Sequence, residues 1–166
     1  MQKHSPVVLS IMILALVLTM AVAAMAADPL IGTWKLNAAK SNFSPDFLAL
    51  EKAAAPKEST LVVRELDADQ IEITETGTRT DGSAISQRFT QPKQGGAATS
   101  GLPEGTIFVH TIVSPNDRVG TILQNGKQIQ VIHWVVSKDG KTLIDTRRSM
   151  DSQGKPMEHV IVYDKQ

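Results

Sequence analysis

Three dipeptides constrain what this chain can fold into: Asp81-Gly82, Asn125-Gly126 and Asp139-Gly140. Each lies between two short runs rich in Val, Ile and Thr. Asn-Gly and Asp-Gly accept the positive φ of the tightest hairpin turns, and β-branched side chains suit a pleated, half-buried surface. Gln153-Gly154-Lys155 marks a fourth turn of looser type. The strand-like runs are 31–36, 59–65, 70–75, 84–90, 107–113, 118–124, 128–136, 142–149 and 157–163. Consecutive hairpins give an antiparallel meander, and a series of short strands at this spacing makes a sandwich or a barrel. Closure removes exposed edges, which favours a barrel for an up-and-down order.

Two segments interrupt the rhythm. Within 37–58, the stretch 45–55 holds good helix formers, with Pro45 suited to a first helical turn and Pro56 to a stop. The connection 91–105 carries Gly95, Gly96, Gly101 and Gly105 with Pro92 and Pro103, and reads as a long loop, either a flap or a plain surface excursion. Alternation is clean in Gln70-Ile71-Glu72-Ile73-Thr74, where the two isoleucines share a face. In 128–136 and 157–163 both faces are partly apolar. Such strands are buried on both sides or line an interior of mixed polarity.

The N-terminus reads as an export signal. Lys3 and His4 precede an almost wholly apolar run from Val7 to Met20, and Ala24-Met25-Ala26 has the A-x-A form that signal peptidase cleaves. Residues 1–26 are therefore expected to be a signal peptide and 27–166 a single domain, exported to a periplasm or secreted. The alternative is a retained anchor, since the apolar stretch is long enough to span a bilayer. The chain has no cysteine, which excludes lipid attachment at a cysteine and leaves the domain without disulfides. With 17 basic and 17 acidic side chains in 166 residues, charge attracts neither nucleic acid nor an anionic membrane. Two Trp, one Tyr and four Phe are too few for a base-stacking platform.

Chemistry-bearing patterns are sparse. The Gly-rich connection lacks the Lys-Ser or Lys-Thr of a phosphate loop. His110, His133 and His159 fall in separate strands with no paired ligand spacing. They read as isolated histidines, with His133 beside Trp134 the first choice if one held a metal or haem iron. No G-x-S-x-G joins Ser, His and Asp. Glu72, Glu75 and Asp145 could form an acid–base pair but read more simply as solvated outer-face residues. Asn42-Phe43-Ser44 matches a glycosylation sequon formally and is discounted because Pro45 follows. No enzyme and no cofactor is called for.

Gly32-Thr33-Trp34-Lys35-Leu36 resembles the G-x-W opening of the lipocalin and fatty-acid-binding (calycin) barrels. The following 37–43, the late run 136–142 and the end Val162-Tyr163-Asp164-Lys165 are similar to short bacterial exported lipocalin-like proteins. The resemblance implies a closed antiparallel barrel with an internal site for a small apolar molecule. It implies that Gly32 and Trp34 close one end of the barrel and that Arg147 or Arg148 stacks on the indole, a cation–π contact. The chain departs from the family where fatty-acid-binding proteins place an Arg-x-Tyr on the last strand. Tyr163 is present, but Ile161 stands at the arginine's position. The lipocalin T-D-x-x-Y motif is also missing.

The expected fold is all-β, one antiparallel up-and-down lipocalin-like barrel of eight to ten strands with a short helix after the first. The expected function is to bind a small hydrophobic ligand in a cavity lined by Val63, Ile73, Phe89, Phe108, Ile132 and Ile144. The alternatives are an interaction or structural barrel with a filled core, and a haem- or metal-binding barrel. Nucleic acid is not an expected partner. The membrane and signal peptidase enter only through the N-terminal segment.

Overall fold

The computed structural model describes residues 28–98 and 100–166. The expected signal segment and its cleavage site lie outside the described residues. Among these, ten strands form one antiparallel sheet: β1 Gly32–Leu36, β2 Pro56–Glu65, β3 Gln70–Arg79, β4 Ala84–Pro92, β5 Gly96–Ala97, β6 Thr106–Ser114, β7 Asp117–Gln124, β8 Lys127–Val136, β9 Thr142–Met150 and β10 Pro156–Lys165. Every strand pairs with its sequence neighbour except β4 with β5. β1 pairs with β10 as well as β2, so the chain's two ends meet. β4 and β5 are the sheet's outermost members.

The tight turns lie where the dipeptides put them. Asn125 and Gly126 have φ of 51° and 79°, and Gly82 and Gly140 have φ of 85° and 70°. The Gly-rich connection, expected as a loop, supplies the tenth strand and the seam. Gly96 and Ala97 pair with His110 and Val109, and Ser100 bridges to Thr90. The ribbon thus curls into a nearly closed barrel, and the Thr90–Ser100 bridge spans its last gap. Glycine makes that bridge possible at Gly101 (φ 85°). A Cβ there would stand 2.1 Å from the Arg88 carbonyl oxygen and 2.7 Å from the Phe89 Cα, against the edge of β4.

The helix α1, Pro45–Glu51, makes about two turns, a short helix after the first strand as expected. Ser44 caps it, its Oγ accepting from the Phe47 amide at 3.4 Å. Lys52 ends it in the left-handed conformation at φ 52°, and its N–H finds the carbonyls of Leu48 and Ala49. The cap at Lys52 stops the helix well before Pro56, which opens β2 instead. A first residue of a strand can be proline without costing an interior ladder bond.

Outside, the β2–β4 sheet is stitched by charge. Arg64 Nε and Arg88 Nε donate to the two oxygens of Glu72 at 2.8 and 2.7 Å. Burial alone would raise the Glu72 carboxyl, but the two guanidinium groups hold it below the ordinary range.

Candidate ligand-binding site

Alternation sorts the barrel's side chains. Along β9, Leu143 and Asp145 are buried while Ile144 between them is 39% exposed. Along β8, Gln130, Ile132, Trp134 and Val136 are buried and the residues between them are not. The buried core divides into two parts. Leu30, Trp34, Val63, Ile71, Val136 and Leu143 form a plug, whereas Leu61, Ile73, Phe108, Ile132, Trp134 and Tyr163 line a cavity of about 1010 Å³.

The plug seals one end. Trp34 is wholly buried and its Nε1 donates to the Leu30 carbonyl at 2.8 Å. Lys165 Nζ lies 4.8 Å from the centre of the indole and donates to the Pro29 carbonyl at 3.2 Å. Gly32 (φ 147°) makes room for this, because a Cβ there would stand 2.7 Å from the Lys165 Cε. Asp28 pairs with the buried Arg118 of β7 and ties the first described residue to the barrel. The cation on Trp34 is therefore a lysine from the last strand, not Arg147 or Arg148 as the resemblance implied. Arg147 turns inward and places its Nε and Nη2 at 3.0 and 2.8 Å from Asp145 Oδ2. Arg148, one residue on, points to the rim and donates from Nε to Glu158 at 2.7 Å.

The opposite end carries α1. Leu50 and Glu51 of the helix line the cavity mouth, and Gln130 Nε2 of β8 donates to Glu51 Oε1 at 3.1 Å. Phe47 is fully buried against His159 of β10, with ring centres 5.1 Å apart, and Phe43 meets the same imidazole edge-on at 5.1 Å. The Phe47–His159 contact and the Gln130–Glu51 hydrogen bond help to hold the short helix over the mouth.

The cavity wall combines an apolar side with a polar cluster. Phe89 stands edge-on to Phe108 at 5.7 Å, and Phe108 lies 6.2 Å from Trp134. Gly120 gives Phe108 its place, since a Cβ at that position would be 2.2 Å from the ring. On the polar side, Ser59 Oγ and Tyr163 Oη both donate to Glu75 Oε1, at 2.6 and 3.0 Å. Burial and the adjacent Glu75 push the Tyr163 phenol well up, so it stays a donor. Burial works against the Arg147 cation, but Asp145 and Glu75 more than offset it, and its pKa is raised. These groups can orient a polar atom inside an otherwise greasy space.

Of the six expected lining residues, Ile73, Phe89, Phe108 and Ile132 stand together in the cavity wall. Val63 is buried but belongs to the plug, because it pairs with Gly32 at the sealed end. Ile144 is a correction: it faces outward, one residue out of phase with Asp145. Glu75 and Asp145 are corrections in the other sense, interior groups rather than solvated ones. Their signal was present, since Glu75 keeps the phase of Ile71 and Ile73, and Asp145 that of Leu143. His133 is a third part of the site to correct as a ligand candidate. It lies on the outer phase of β8, one-third exposed, with Nε2 2.7 Å from Asp117 Oδ1. Among the described residues no group of three His, Cys, Asp or Glu could hold a metal ion. Leu61, Gly120 and Gln130 were not anticipated. A glycine inside the Val/Thr/Ile run 118–124 was the one available sign.

Comparison with known proteins bears on the fold alone. The chain is similar to the crystal structure of the fluorescent protein UnaG, with a TM-score of 0.57 and 17% identity, covering 82% of this chain and 97% of that one. A point mutant of UnaG gives a TM-score of 0.58 and 18% identity, covering 83% and 96%. No family model matches the chain, and no curated protein matches it by sequence.

His159 gives the site a pH dependence. Burial, and then Arg147, lower its pKa from the usual value. His110 is lowered by burial and by Arg118. The unfolded chain then takes up protons first, at about pH 6.5, so stability is complete above that pH and falls as pH drops through the lower folded values. Denaturant titrations are expected to show this loss set in at about pH 6.5 and grow as the pH drops, and His159→Phe should remove part of it. An unchanged slope in that variant would show that the imidazole is not buried neutral.

Proposed function

We propose that this barrel binds a small hydrophobic molecule in the cavity between the Trp34 plug and the helix α1. The observation that carries the reading is the division of the core itself: one end packed solid, the other surrounding about 1010 Å³ walled by Leu61, Ile73, Phe108, Ile132 and Trp134. A barrel serving only as a structural or interaction module would fill that space with side chains, since protein interiors pack densely. The volume matches what small-molecule sites need, and ten strands give a wider interior than eight. An alkyl chain of about ten carbons would gain roughly 8 kcal/mol from burial, far more than one hydrogen bond contributes, so the apolar wall supplies affinity. Glu75, Asp145 and Arg147 are read as recognition groups for the ligand's polar end and not as catalysts. Each is engaged by a neighbouring protein group.

We also propose that residues 1–26 direct export and are removed, giving a periplasmic or secreted protein akin to short bacterial lipocalin-like proteins. The support is the A-x-A sequence at Ala24-Met25-Ala26 and the tie between Asp28 and Arg118 just beyond it. N-terminal sequencing of the full-length chain expressed in a bacterial host is expected to read from Ala27. An intact chain that partitions with membranes would establish the retained anchor instead.

A neutral, polarity-sensitive dye such as Nile red is expected to bind at one saturable site. Ile73→Trp places an indole in the cavity and should weaken dye binding at least about tenfold while the thermal midpoint stays within a few degrees. Absence of saturable binding by the wild-type protein would leave the filled, non-binding barrel as the reading.

A further inference from the structure

The charges enclosed by the cavity bear on what its ligand carries at the polar end. Of the charged residues that line the cavity, two carboxylates, Glu75 and Asp145, are buried beside one mostly buried guanidinium, Arg147, whereas Glu51, Arg88, Lys127, Arg148 and Glu158 are exposed at its rim. That cation is already committed: its Nε and Nη2 both donate to Asp145 Oδ2. His159, whose pKa is lowered by burial and by Arg147, adds no cation near neutral pH. The acceptors are less fully used. Glu75 takes both of its bonds, from Ser59 and Tyr163, on Oε1, and no hydrogen bond to Oε2 occurs among the described residues. Asp145 is 2% exposed, and its Oδ1 has no partner. A buried carboxylate oxygen without a donor is costly, which makes this pair a receptor for donors. Ile161, on the inward phase of β10 with Tyr163, is buried and contributes no second cation. At the rim, Arg88 and Arg148 are held outward by Glu72 and Glu158.

We propose that the cavity takes a hydrophobic molecule whose polar end donates hydrogen bonds, an aliphatic amine above all, and discriminates against fatty acids, because Glu75 and Asp145 outnumber the single, already paired Arg147. This rests on the reading of the cavity as a ligand site. An alkylammonium, with a pKa near that of lysine at about 10.4, is protonated at pH 7.5 and meets the unused Glu75 Oε2, with the Asp145 charge behind it. A carboxylate of equal length brings a third negative charge into a space of low dielectric with no free pair of donors.

The test compares head groups on one chain length. Dodecylamine, dodecanol and dodecanoate, each below its critical micelle concentration at pH 7.5, compete with Nile red for the purified protein. The expected order is amine, then alcohol, then carboxylate, with at least about tenfold between the first and last. Glu75→Gln keeps an acceptor for Ser59 and Tyr163 while removing the charge. It is expected to cut the amine-to-carboxylate ratio by about threefold or more, each competitor being measured against the variant's own Nile red affinity, and a thermal melt verifies that the variant is folded. Should that variant melt before use, raised salt provides the second measurement, the amine preference of the wild-type protein narrowing as charge is screened. If dodecanoate competes as well as dodecylamine, or if no head group displaces bound dye, the donor-selective site is overturned while the ligand-site reading stands. If Nile red itself does not bind, the ligand-site reading fails and this inference falls with it.

Discussion

Side chains alternate along a strand, and a sheet that meets its own edge turns that alternation into an inside and an outside. In this chain the meeting depends on two contacts: β1 lying between β2 and β10, and the bridge from Thr90 to Ser100. The first joins the ends of the sequence, with Trp34 opposite Lys165. The second is a single residue pair, made possible where Gly101 passes against the backbone of β4. Without them Glu75, Asp145 and Tyr163 would lie on an open face in water, and their mutual electrostatics would be weak. With them, the same residues sit in a space where an unpaired oxygen is costly and therefore selective.

The two ends of the barrel are built differently, and the difference is chemical. At the Trp34 end the indole, the Lys165 ammonium, Leu30 and the Asp28–Arg118 pair leave no room for a guest. At the α1 end a seven-residue helix is held by Phe47 on His159 and by Gln130 on Glu51. Entry beneath the helix would bring a guest past Leu50 and Met157 to the aromatic wall, with the carboxylates beyond.

Much of the fold was legible because its strongest cues are local. The Asp-Gly and Asn-Gly turns, the β-branched runs and the helix start at Pro45 each follow from one residue's own conformational limits. What was not legible depends on phase or on distant contact. Ile144 looked like a lining residue from its apolarity, but the phase of Leu143 and Asp145 turns it outward. Glu75 looked solvated because carboxylates usually are, though it shares the phase of Ile71 and Ile73. The cation on Trp34 could not be chosen from sequence, since Lys165 reaches it only because β10 returns beside β1. The Gly-rich connection read as a loop because a two-residue strand carries no periodicity to detect.

The central claim is that the barrel is hollow on the α1 side and lined there by apolar side chains. A crystal of the protein pressurised with xenon measures this directly, because the gas collects in apolar space and not in well-packed cores or polar clefts. The account predicts xenon density among Ile73, Phe108 and Ile132 and none around Trp34. Continuous side-chain density through that region, with no bound gas, would contradict it.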